Sequence, residues 1–185
     1  MMRMRRNNLE RLIIISILAA LSFILMLIQF PIPFLPPFLT VDFSDIPAFI
    51  GFIIFGGGAG ALIIIMKIVL YGLLMASEPI GPLSNMMAAF SLLLPIYFVY
   101  ARHRSKRGLL AGFIAGIITL TAMMAVLNYF VLLPMYGIII DQSDLVANLR
   151  AVVTAGIIPF NLIKGTLVCL VAYVVYVKII PKLPK

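Results

Sequence analysis

Four apolar runs, Leu12 to Phe30, Leu83 to Tyr100, Leu109 to Leu133 and Ala155 to Val177, decide what this chain can fold into. A helix rises about 1.5 Å per residue and the hydrocarbon core of a bilayer is about 30 Å thick, so each run suffices to cross it. In hydrocarbon every peptide N–H and C=O must be satisfied within the protein, which makes these runs helices. With 64% hydrophobic and 11% charged residues among 185, the apolar segments leave no room for a soluble domain, and residues 1–185 form a single membrane domain. Arg3, Arg5, Arg6 and Arg11 before the first run resemble a signal peptide. The run is too long for one, however, and ends in Pro31-Ile32-Pro33 without a small-residue cleavage site, so it is read as a retained span.

Ile46 to Met75 is apolar except for Lys67, but Gly56-Gly57-Gly58 interrupts it. Parity resolves whether it holds one helix or two. Basic clusters stand at the N-terminus, at Arg102, Arg104, Lys106 and Arg107, and at Lys178, Lys182 and Lys185. All three face the cytoplasm only if an even number of spans separates the first two, which requires a hairpin at the glycines. The expectation is an all-α, six-helix integral membrane bundle with both termini cytoplasmic and spans at 12–30, 46–55, 59–75, 83–100, 109–133 and 155–177. The outward loops are then Pro31 to Asp45, Ala76 to Pro82 and Pro134 to Thr154. They hold Asp42, Asp45, Glu78, Asp141 and Asp144, with Arg150 their one basic residue.

The net charge of +8 sits in clusters between apolar runs, which suits anionic lipid headgroups and not nucleic acid. Cys169, the one cysteine, lies in an apolar run and reads as a small buried hydrophobe. The chain has no phosphate-binding G-x-x-x-x-G-K-[ST] loop. Its one histidine, His103, stands among cytoplasmic basic residues, and its six acids are scattered and mostly outside. No catalytic grouping or metal site emerges, and the expectation is binding without enzymatic activity or cofactor.

Lys67 and Lys164 are the costly features, since a lysine at the centre of a span costs roughly 2.5–3.5 kcal/mol on insertion scales. Asn161 and Asn128 suggest a polar cluster with Lys164 in the outer half of the bundle. Ammonium donors with carboxamide donors and acceptors suit a neutral ligand bearing imide and carbonyl edges. Lys67 is expected to meet Glu78 or a headgroup. The Pro31 to Asp45 loop is too apolar for a solvated linker and reads as a lid on an outward pocket, while Asp45 is placed to cap the second span. Gly108, Gly112 and Gly116 read as a close-packing face, and Ser16-x-x-x-Ala20 is a weaker version of that pattern.

Leu35-Pro36-Pro37-Phe38-Leu39, Asp42-Phe43-Ser44-Asp45-Ile46-Pro47, Asn128-Tyr129-Phe130, Leu133-Pro134-Met135-Tyr136 and Pro159-Phe160-Asn161-Leu162-Ile163-Lys164-Gly165 together resemble the substrate-binding S components of energy-coupling-factor vitamin transporters. The resemblance is to their riboflavin-binding members. It implies riboflavin captured outside as a transported ligand, and delivery with a transmembrane coupling subunit and two ATP-binding subunits. It also implies that Leu39, Thr40, Val41, Asp42 and Phe43 lie over the ligand and that Asn128 and Lys164 contact it. Glu78 and Asn85 are implied as partners of the ribityl hydroxyls or supports of the loop. Ser16 and Ala20 stand where the family's small-residue face meets the coupling subunit.

An S component for another vitamin and a structural membrane protein are the alternative readings. Cysteines placed at Ser105 and Ser143 test the topology. Impermeant thiol reagents on intact cells should label Ser143→Cys and spare Ser105→Cys; labelling of both from outside overturns six spans.

Overall fold

The computed structural model describes residues 8–36, 38–76, 78–139 and 148–178. Arg3, Arg5, Arg6, Pro37, Asp141, Ser143, Asp144, Lys182 and Lys185 lie outside them. The chain runs α1 (Asn8–Leu27), a short antiparallel pair of β1 (Phe30–Pro31) and β2 (Thr40–Val41), then α2 (Asp45–Phe55), α3 (Gly57–Leu74) and α4 (Ile80–Arg102). Next, α5 (Lys106–Leu127) passes through a π-helical stretch (Asn128–Leu132) into α6 (Leu133–Ile139). Last come α7 (Leu149–Ala151), a second π-helical stretch (Val152–Ile157) and α8 (Ile158–Lys178). Among the described residues, five helical segments are long and apolar enough to cross a membrane, and α2 is the short sixth.

The hairpin expected at the glycines is present. Gly56 alone separates α2 from α3 and has φ +93°, a conformation that side chains other than glycine's rarely adopt. The fold is thus a six-helix bundle, and the described members of the basic clusters, Arg11, Arg102, Arg104, Lys106, Arg107 and Lys178, gather at one end. Arg11 at the start of α1 donates to the Phe55 carbonyl at the end of α2 (3.2 Å), and Tyr100 of α4 bonds Tyr176 of α8 (3.2 Å). The positive-inside rule makes this end cytoplasmic. Gly116 of the expected small-residue face lies against α4: a Cβ there would stand 2.6 Å from the Leu92 carbonyl oxygen and 2.8 Å from Ile96. Helix packing within the chain therefore occupies that face.

At 11 residues, α2 is about 16 Å long and reaches roughly halfway through the hydrocarbon. Its C-terminal end lies with the basic groups, so its N-terminal end starts at mid-depth and the loop before it must descend into the bundle. This descent corrects three expectations. Asp42 and Asp45 are buried, not outward-facing. Asp45 does not cap α2: Ser44 holds the cap position without a side-chain cap bond, and the Asp45 carboxylate pairs with Lys67 at 2.6 Å. Neither Glu78 nor a headgroup answers Lys67, because its ammonium, 0% exposed, donates to Asp45 and to the Ser44 hydroxyl (2.6 Å each).

Removing one member of a buried pair leaves an uncompensated charge, costing about 3–5 kcal/mol, whereas an apolar pair of similar volume is often neutral. Lys67→Met should therefore lower the unfolding temperature in detergent, and Lys67→Met with Asp45→Leu should recover much of the loss. Gly116→Val should destabilise by wedging α5 from α4. Gly58→Ala, at a position where a Cβ meets nothing within 4 Å, should be tolerated in the same melting assay.

Candidate functional site

At the end opposite the basic groups, the bundle opens into a cavity of about 410 Å³. Met26 and Gln29 of α1, Phe38, Leu39 and Thr40 of the loop, and Tyr71 and Met75 of the α3 end form part of its wall. Glu78 and Asn85 line it at the start of α4, Asn128 at the end of α5, and Tyr136 on α6. Phe160, Asn161 and Lys164 of α8 complete it. Both π-helical stretches adjoin this space, through Asn128 and Ile157, and such stretches widen a helix where a side chain is re-aimed.

Lys164 is buried, and its ammonium donates to Asp42 Oδ2 at 3.1 Å. The same oxygen accepts from Asn85 Nδ2 at 3.2 Å. Asp42 Oδ1 accepts from the Ser44 backbone N–H at 2.9 Å and from the Ser44 hydroxyl. Because Lys67 donates to that hydroxyl, the chain Asp45–Lys67–Ser44–Asp42–Lys164 is continuous, with Asn85 as a branch. It joins α2, α3, α4 and α8 through the loop, and Ser22 of α1 donates to the Ser44 carbonyl. Burial alone raises the pKa of Asp42. The ammonium groups of Lys164 and Lys67 and the two bonds from Ser44 reverse this and hold its carboxyl well below the usual carboxylate range.

The polar cluster expected around Lys164 is thus arranged differently. Asn128 and Asn161 line the same cavity, but their amide nitrogens donate to carbonyls of their own helices, Met124 and Ile157, each at 2.8 Å. The carboxamide oxygens are left to accept from a ligand. Asn85 Oδ1 is buried with no hydrogen-bond partner in the protein. Its amide orientation is settled by Asp42, since a carboxylate only accepts and so faces the nitrogen.

Of the residues singled out from the sequence, Leu39, Thr40, Glu78, Asn85, Asn128 and Lys164 line the cavity. Val41 and Phe43 pack into the core instead, and Asp42 stands behind Lys164 and Asn85 without lining the cavity. Glu78 accepts from the backbone N–H of Ile80 and Gly81 and from Tyr136 Oη (3.3 Å). Thr40 Oγ1 donates to Gln29 Oε1 at 3.0 Å, fastening the loop to the end of α1. Sequence reasoning passed over Gln29, Tyr71, Tyr136 and Phe160 as lining residues. Polar and aromatic side chains near span ends commonly mark the membrane interface, and nothing local distinguishes that role from facing a cavity.

A bundle of apolar helices enclosing a cavity of ligand size beside the end facing away from the cytoplasm defines a membrane-embedded binding component. The chain belongs to the family of ECF transporter, substrate-specific components, whose model matches residues 10–176. It is therefore a multi-pass protein of the plasma membrane and a substrate-binding component that works with an energy-coupling module, not an enzyme. The chain is 43% identical to the riboflavin transporter RibU of Staphylococcus aureus (strain TCH60), over 95% of this chain and 92% of that protein. It is 36% identical to the riboflavin transporter FmnP of Bacillus subtilis (strain 168), over 94% of each. A solved structure of the S component of a bacterial ECF transporter superposes with a TM-score of 0.84 at 40% identity, covering 97% of this chain and all of that one.

Proposed function

We propose that this protein captures riboflavin from outside the cell and presents it for uptake by an ECF-type transporter, in company with a transmembrane coupling subunit and two ATP-binding subunits. The cavity carries this reading. It is of ligand size, opens away from the cytoplasmic end, and combines Phe and Tyr rings and Met side chains with about as much polar lining. An isoalloxazine ring has a broad apolar face and one imide edge flanked by carbonyls. The Lys164 ammonium can donate to a carbonyl, and the oxygen of Asn128 can accept from the imide N–H. Thr40, Gln29 and Glu78 offer partners to the hydroxyls of a ribityl chain. The two relatives above, covered over nearly their whole length, are both riboflavin transporters.

The coupling subunit meets α1 in this reading. Ser16 and Ala20 are exposed on its outer face, flanked by exposed Leu12, Ile13, Ile17 and Ile24, so a partner helix can approach closely.

Flavin fluorescence in detergent tests the proposal. Riboflavin should be quenched saturably at micromolar or lower concentration. Asn128→Ala and Lys164→Ala should weaken binding roughly ten-fold or more, in line with the loss of one or two hydrogen bonds, one of them charge-assisted. A folded wild-type protein without saturable quenching overturns the riboflavin assignment, and binding of a different, colourless vitamin replaces it.

A further inference from the structure

The cavity's ionised groups do not balance. Among the described residues Lys164 is the one cation on its wall, and Asp42 lies 3.1 Å behind it, so that ion pair contributes no net charge. Glu78 also lines the cavity, and among the described residues it pairs with no cation. Its oxygens accept from two peptide N–H groups at the start of α4 and from the Tyr136 hydroxyl. Those peptide dipoles carry only about half a unit of positive charge between them, too little to cancel a carboxylate. Among the described residues, no second cation lines the cavity to receive an anion.

We infer that Glu78, with Asp42 cancelling Lys164, makes the cavity selective for an uncharged ligand over its phosphorylated form. This inference rests on the flavin reading and deepens it by naming the residues that determine specificity. A phosphate monoester carries about −1.5 to −2 charge at neutral pH. Placed in a cavity shared with a carboxylate that no cation on its wall cancels, it meets a like charge at short range, where screening by bulk salt is weak. The neutral vitamin meets none, and its hydroxyls can donate to the same carboxylate. Glu78 therefore serves the right ligand as an acceptor and opposes the wrong one as a charge.

The test compares dissociation constants for riboflavin and riboflavin 5′-phosphate by fluorescence quenching, in full-length wild type, Glu78→Gln, Asp42→Asn and Tyr136→Phe. Glutamine retains an oxygen for the Ile80 and Gly81 N–H groups while removing the charge, and Asp42→Asn leaves the Lys164 charge uncancelled. Wild type should prefer riboflavin, and both charge variants should shrink the ratio of the two constants by about ten-fold, from removal of one charge interaction at low effective dielectric. Tyr136→Phe removes a neutral bond to the same carboxylate and should weaken both ligands together, leaving the ratio in place. A wild type that binds the phosphate ester as tightly as the vitamin overturns the charge assignment and leaves the flavin reading standing. The same holds for a Glu78→Gln protein that binds both with an unchanged ratio, and for a Tyr136→Phe protein that shifts the ratio as far as Glu78→Gln. Failure of the folded wild type to bind either flavin overturns both readings.

Discussion

The structure depends on four buried charges neutralising one another at mid-membrane depth. Lys67 and Lys164 stand within spans, where an unanswered ammonium is untenable, and Asp45 and Asp42 reach them from a connecting segment. Ser44 stands between the pairs, accepting from Lys67 and donating to Asp42, so the two salt bridges form one hydrogen-bonded chain. Such an arrangement adds little net stability over an apolar core of the same shape, but it tolerates few alternatives. Every member that moves strands a charge, and the segment from β2 to α2 is accordingly held in one place relative to α3, α4 and α8.

The short second helix follows from the same constraint. A full-length span would carry its N-terminus to the outer surface and take Asp45 out of reach of Lys67. Eleven residues place that N-terminus inside the bundle, where the Asp45 carboxylate meets Lys67. The space above α2 is then filled partly by the descending loop, with Leu39 and Val41 buried, and partly by the cavity. Ligand site and charge network are adjacent because one structural decision creates both. Lys164 belongs to each: its ammonium is held by Asp42 and lies at the cavity wall.

The π-helical stretches at Asn128–Leu132 and Val152–Ile157 serve the opposite wall. They let α5 and α8 continue past the cavity while Asn128 faces it and Tyr136, one segment later, reaches Glu78 across it. The outer half of the bundle is thereby polar where it is hollow and apolar where it meets lipid, and the cytoplasmic half is closed by ordinary helix packing through Gly116 and the Tyr100–Tyr176 contact.

Helix number, the hairpin at Gly56 and the common end of the described basic residues were legible in the chain alone, because the bilayer imposes a length, a polarity and a charge rule that act locally along the sequence. The need of Lys67 and Lys164 for polar partners was legible for the same reason. Their partners were not: Asp42 and Lys164 are 122 positions apart, and loop acids before a span read as outward until the shortness of α2 draws them inward. Likewise Val41 and Asp42 stand side by side with Thr40, yet only Thr40 faces the cavity. Solvent preference along a chain determines which segments cross the membrane, whereas which side chains meet inside it depends on how the helices pack, and that was decided only in three dimensions.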